Sequence, residues 1–364
     1  MQSASFLIKP ASSSCNLRCS YCFYFDVSNN REQDNYGIMD ETTMNAMIER
    51  IFADMDENGK VTFGFQGGEP TVAGLDYFKR FIIKVNQVKG SCTVSYALQT
   101  NGTLLDDEWC EFFHENKFLL GVSLDGYETN MNKFRYDAQK KGVYYRVLNG
   151  IKLLRKHQVD FNILCVITKS LAEHPKALFN YFKENKFDYV QLIPCLPSLN
   201  NDEEMNREAL TPELYASFFG QFYDCWLKHL RNGHYLSVNL FDNLIGMING
   251  HAPYQCGLLG NCSPQSVVEA DGSVYPCDFF VTEDRKLGNF KEMGLVELIK
   301  SEPSQAFLKV RAEEKAVCQS CQFRNICHGG CKRQNVCFLS DDYCGYQHFL
   351  GYAMQTLPQI AKMF

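Results

Sequence analysis

Residues 15–22 read CNLRCSYC, which spaces Cys15, Cys19 and Cys22 as C-x3-C-x2-C. Thiolates are soft ligands, and three of them packed this closely point to a metal site. Structural zinc closes with four protein ligands, and catalytic zinc keeps water beside His or Glu ligands. No His stands near the triad, so a [4Fe–4S] cluster with one open iron suits it better than zinc. A second stretch, GGEP at 67–70, offers close backbone approach at Gly67 and Gly68, a carboxylate at Glu69 and a stiff turn at Pro70.

The tail repeats the theme. Of 17 cysteines, nine lie between 256 and 344, and five (Cys92, Cys110, Cys165, Cys195, Cys225) are scattered among apolar residues as core thiols. Cys256 and Cys262 are followed by Cys277, then by Cys318, Cys321, Cys327 and Cys331, and finally by Cys337 and Cys344. A zinc ribbon at 318–331 would leave Cys256, Cys262, Cys277 and Cys344 without a role. Eight thiolates make two four-cysteine sites, with Cys337 and Cys344 able to exchange the last place. Gly329 and Gly330 permit a tight turn between Cys327 and Cys331.

The elements that must position these residues alternate. Strand patterns at 5–10, 61–66, 93–100, 118–125, 161–168 and 189–194 are separated by segments with apolar residues three and four apart. Asp40 is a natural N-cap for the first of these helices. Strands alternating with helices imply parallel strands and right-handed crossovers. Six units are too few for a closed eight-fold barrel, so the expected fold is α/β, a partial (β/α)6 TIM-like barrel. Its chemistry belongs at the C-terminal ends of the strands, where CNLRCSYC, GGEP, LQTNG and SLDG all fall. We expect the barrel over 1–196, a linker or lid with helical segments over 197–255, and a cysteine-rich module ending in a helix over 256–364.

Composition sets the surroundings. The 364 residues are 45% hydrophobic and 21% charged, as suits a globular protein with a large core. A net charge of -6 without a basic run gives nucleic-acid binding no electrostatic support. No signal peptide and no apolar run long enough for a membrane span is evident, and the odd cysteine count argues against a disulfide framework. A cytoplasmic protein is expected.

The triad with its aromatic before the last Cys, and GGEP after the second strand, resembles the radical S-adenosylmethionine (SAM) superfamily. The resemblance implies that SAM chelates the open iron and is cleaved reductively to a 5′-deoxyadenosyl radical. It also implies SAM contacts at Gly67, Gly68 and Glu69, with Ser123 and Arg135 at the ribose or carboxylate and Gln66 in the active site. The tail spacing resembles the SPASM extension of peptide-modifying members. That pattern assigns Cys256, Cys262, Cys277 and Cys331 to one auxiliary cluster and Cys318, Cys321, Cys327 and Cys344 to another, three [4Fe–4S] clusters in all. Cys344 is preferred to Cys337 because DDYC and the aromatic run after it match the family.

Along nearly the whole chain, LIKPASSSCNLRCSYCFY, YGIM, FQGGEPTVAG, LQTNGTLL, FNILCVIT and DGSVYPCDFF are similar to anaerobic sulfatase-maturating enzymes. The implied activity is oxidation of a Cys or Ser in a sulfatase polypeptide to Cα-formylglycine. The substrate radical must then lose an electron and a proton. Asp278, beside Cys277, is the implied base, and Tyr24 would orient Asp278 or the substrate. The implied partners are a peptide or unfolded polypeptide and a flavodoxin or ferredoxin as electron donor, with neither nucleic acid nor membrane. An alternative is a maturase of a ribosomally made peptide, forming a thioether or carbon–carbon crosslink or an epimer. A different class again is a non-catalytic zinc scaffold.

Overall fold

The computed structural model describes residues 1–263 and 265–364, which fall into two compact units interleaved along the chain. The first comprises 1–123, 136–161 and 263–310, and the second 124–135, 162–262 and 311–364.

Strands β1 (Ser3–Ile8), β2 (Lys60–Phe65), β3 (Thr93–Thr100) and β4 (Phe118–Ser123) lie side by side and parallel in the first unit. Alternation drives β2 together: Val61, Phe63 and Phe65 are buried, and Phe63 and Phe65 each meet Phe81 edge-on with ring centroids 5.1 Å apart. Phe81 belongs to the helix Leu75–Val88, which buries Tyr77, Phe78, Phe81, Ile82 and Val85 along one stripe. Asp40 caps the helix Glu41–Ala53 by accepting from Thr43 N at 2.7 Å. Trp109, on the helix Asp107–Glu115, is buried against Phe78 and Phe113.

The second unit holds β5 (Phe161–Ile167, all but its first residue) and β6 (Tyr189–Pro194), parallel to each other, and the short β7 (Ser237–Val238), parallel to β6. The helix Pro212–Arg231 starts with Thr211 as cap and Pro212 in the first turn, and buries six aromatics from Tyr215 to Trp226. Trp226 Nε1 donates to Leu236 O at 2.8 Å. The polar stretch after β6 contains a short helix, Glu203–Asn206, capped by Asp202, and Asn206 Oδ1 accepts from Ser198 N at 2.7 Å.

All six expected strands form, within two residues at each end. The first unit also recruits β8 (Val267–Val268) alongside β1, in parallel, and β9 (Ser273–Tyr275) and β10 (Gly288–Asn289) follow antiparallel. Among the described residues no helix is long and apolar enough to cross a membrane.

Candidate active site

Register brings the C-terminal ends of β1 to β4 to one edge of the first unit. Ile8 pairs with Phe65, Phe65 with Leu98 and Thr100 with Val122, so Lys9, Gln66, Asn101 and Ser123 share that rim. The cysteine loop follows β1 directly. Leu17 N donates to Cys15 Sγ at 3.3 Å, and Cys22 caps the helix Phe23–Asn29, its Sγ accepting from Phe25 N at 3.4 Å. Burial, with the charges of Glu69 and Cys22 adding, pushes the Cys15 thiol up to about 11. A bare thiolate is therefore costly here, and metal ligation is what would make it favourable.

The glycines of GGEP serve this loop. A Cβ on Gly68 would stand 2.1 Å from Ser14 O, and one on Gly67 (φ +120°) 2.8 Å from Ser12 O and 3.2 Å from Lys9 Cβ. Gly68 N and Glu69 N donate to Ser12 O and Ser14 O, each at 2.8 Å. The glycines thus admit the backbone of Ser12 to Ser14, which leads into the triad. Glu69 is buried, and burial pushes its carboxyl up while hydrogen bonds hold it down. Its Oε1 accepts from Thr71 N (3.2 Å), Thr71 Oγ1 (2.7 Å) and Thr100 Oγ1 (2.8 Å), and Oε2 from Asn101 N (2.7 Å). Asn101 in turn reaches Asn16 Oδ1 at 2.8 Å and Cys15 Sγ at 3.9 Å. The TNG motif thereby links Glu69 to the cysteine loop.

Asp278 is mostly buried, and Lys9 Nζ donates to its Oδ1 at 2.5 Å. The same ammonium sits 3.6 Å from the centroid of the Tyr24 ring. Tyr24, expected to orient Asp278 or the substrate, meets Asp278 through that shared ammonium. Its hydroxyl donates to Glu269, because that buried carboxylate lies at its tip while the ring face is covered by Lys9. Arg31 Nη1 also binds Glu269 Oε1, at 2.6 Å. Lys9, Arg31 and Glu269 escaped the sequence reading, although a lone cation in LIKP and a lone carboxylate in VVEA were signals.

In the second unit, Arg135 Nε is 2.8 Å from Asp125 Oδ2, a buried pair that engages the side chain expected at SAM. Cys318, Cys321, Cys327 and Cys344 line one small cavity with Phe323 and Tyr346. Cys337 is fully buried elsewhere, its Sγ donating to Cys195 O at 3.4 Å, and burial pushes its thiol up to about 12. A Cβ on Gly257, beside Cys256, would stand 3.6 Å from Cys331 Cβ, so Cys331 packs against the Cys256 loop. His328, Gly329 and Gly330 take left-handed conformations in succession, and Asn335 braces that turn by donating to Gly329 O and accepting from Cys331 N, both at 2.8 Å. Cys277 belongs to the first unit. Four thiols around one cavity are a donor set of the kind that iron–sulfur clusters take.

A profile of the Radical SAM superfamily matches residues 10–182, and one of an iron–sulfur cluster-binding domain, SPASM, matches 261–322. A cysteine-type anaerobic sulfatase-maturating enzyme of Clostridium novyi is 40% identical, over 92% of this chain and 89% of that enzyme. One from Clostridium perfringens (strain ATCC 13124) is 38% identical over 100% and 99%. The solved structure of native anSMEcpe with bound AdoMet and Cp18Cys peptide superposes with a TM-score of 0.91 at 36% identity, covering 99% of each chain.

Proposed function

The chain belongs to the anaerobic sulfatase-maturating enzymes of the radical SAM superfamily, and from that premise we propose that it oxidises a cysteine of a sulfatase polypeptide to Cα-formylglycine. The observation that carries this reading is the likeness to cysteine-type members along almost the entire chain. The substrate is a peptide segment; a flavodoxin- or ferredoxin-type donor and a cytoplasmic setting complete the proposal.

Cys15, Cys19 and Cys22 would hold the SAM-binding cluster. Cys256, Cys262, Cys277 and Cys331 would hold one auxiliary cluster, and Cys318, Cys321, Cys327 and Cys344 the other. When bound, these groups and SAM supply a 5′-deoxyadenosyl radical to take a hydrogen atom from the target Cβ and an acceptor for the electron that leaves next. Glu69 would receive the SAM amine: its Oε2 accepts a hydrogen bond from Asn101 N and has a second acceptor position. Gln66, Ser123 and Arg135, the last with Asp125 as its counterion, would complete the contacts to SAM and substrate. Asp278 takes the proton that departs as the substrate radical is oxidised to a thioaldehyde, and water then replaces sulfur, releasing hydrogen sulfide. Residues 1–196 generate the radical, 256–364 hold the auxiliary clusters, and 197–255 join them.

Anaerobic incubation with SAM, reductant and a cysteine-containing sulfatase peptide tests the reading. Mass spectrometry should show sulfur exchanged for oxygen with loss of two hydrogens; a thioether, a crosslink or an epimer would refute it. Asp278→Asn should lower aldehyde formed per 5′-deoxyadenosine by about 10²-fold, the usual scale for losing a general base.

A further inference from the structure

The geometry points to Lys9 as a positioning residue for this reaction, holding the Asp278 carboxylate in its working orientation from a buried aromatic and ionic seat. The inference rests on Asp278 being the base, and it concerns how that carboxylate is held.

Exposure separates the roles of the two side chains. Lys9 is 0% exposed and Asp278 11%, so of the two only the aspartate retains any access from outside. Lys9 therefore acts through Asp278 and not on substrate. A buried ammonium needs compensation on every open side. Here Asp278 Oδ1 supplies the negative partner at 2.5 Å, and the face of Tyr24 supplies a second attraction at 3.6 Å. Tyr24 is in turn held by its tip. Glu269 accepts from its hydroxyl and pairs with Arg31, and the side chains of Glu269 and Arg31 are both 0% exposed.

The path of the lysine stem is set by the glycine turn. A side chain on Gly67 would press within 3.3 Å of Lys9 Cβ and Cγ, so the turn that seats the cysteine loop also leaves the channel along which Lys9 reaches Asp278. Orientation is what this arrangement provides. An aspartate on a short 3-10 turn, Asp278–Phe280, has a free χ1 unless something anchors it, and a misplaced catalytic group costs up to about 10²-fold.

The test uses the reconstituted holoenzyme carrying Lys9→Met, Lys9→Arg, Asp278→Asn, and Lys9→Met with Asp278→Asn. Three quantities are read: iron content, peptide Kd, and aldehyde formed per 5′-deoxyadenosine. Lys9→Met is expected to lower the ratio by about tenfold or more, with iron and Kd within about twofold of wild type. Lys9→Arg should give an intermediate ratio, and adding Lys9→Met to Asp278→Asn should cost nothing further, because the two act as one unit. An unchanged ratio in Lys9→Met, or a loss that multiplies with that of Asp278→Asn, overturns the inference. If Lys9→Met fails to retain iron, Lys9→Arg decides, an intermediate ratio supporting the clamp and a wild-type ratio overturning it. The underlying reading fails separately: an unchanged ratio in Asp278→Asn removes the base itself.

Discussion

A methyl group on Gly68 would stand 2.1 Å from Ser14 O, inside any contact distance, and its nearest neighbours are all backbone atoms of Ser13 and Ser14. Gly68→Ala is therefore expected to push the cysteine loop off the GGEP turn. The reconstituted protein should lose about four of about twelve irons and stop forming 5′-deoxyadenosine; full iron with normal cleavage would show that the loop can move at no cost. At this scale the sequence was legible wherever spacing is itself the signal, as in the triad and GGEP. It was silent on partners that lie elsewhere along the chain. The Tyr24 hydroxyl, two residues past Cys22, donates to a glutamate 245 residues away. Arg135 carries an internal counterion, Asp125. Long-range ion pairs leave no periodic trace in a sequence.

Among elements, β1 to β4 read clearly because each alternates apolar residues and is followed by an amphipathic helix. The three short strands β8, β9 and β10, two or three residues each, were invisible for the opposite reason: no period can be read over so few positions. The helix Glu128–Phe134 was also missed, and it is fixed from outside its own pattern. Asp125 accepts from Val166 N at 2.9 Å and pairs with Arg135 at the end of that helix. Asp125→Ala strips Arg135 of this partner, and the second unit should lose about 3–5 kcal/mol in denaturant titration. In the cysteine tail, Cys344 and Cys337 differ in their surroundings. Cys344 faces the cavity shared with Cys318, Cys321 and Cys327, whereas Cys337 is buried apart from it. Cys344→Ala should cost about four irons and Cys337→Ala none, by iron assay of the anaerobically reconstituted proteins. The reverse result would exchange the two.

For the whole molecule, the distribution of apolar burial decides which parts stand by themselves. From Arg311 to Gly345, Cys337 is the one apolar side chain that is buried among the described residues, and the helices Ala316–Gln319 and Arg324–Cys327 are one turn each. Such a segment has no core of its own, and metal ligation must supply what burial does not. Iron chelation is expected to abolish hydrogen-exchange protection across 311–344 while the helices Pro212–Arg231 and Gly345–Ala353, packed through Phe219 and Phe349, keep theirs. Equal loss in both regions would mean that the tail and the helices unfold together. The tryptophans add an optical handle to this. The chain has 2, Trp109 in the first unit and Trp226 in the second, and both are buried. Each unit thus contains a single tryptophan. With excitation beyond the tyrosine band, Trp109→Phe leaves tryptophan emission that reports on the second unit alone, and Trp226→Phe leaves that of the first, so one titration recorded on two variants resolves the melting of each unit without any added label.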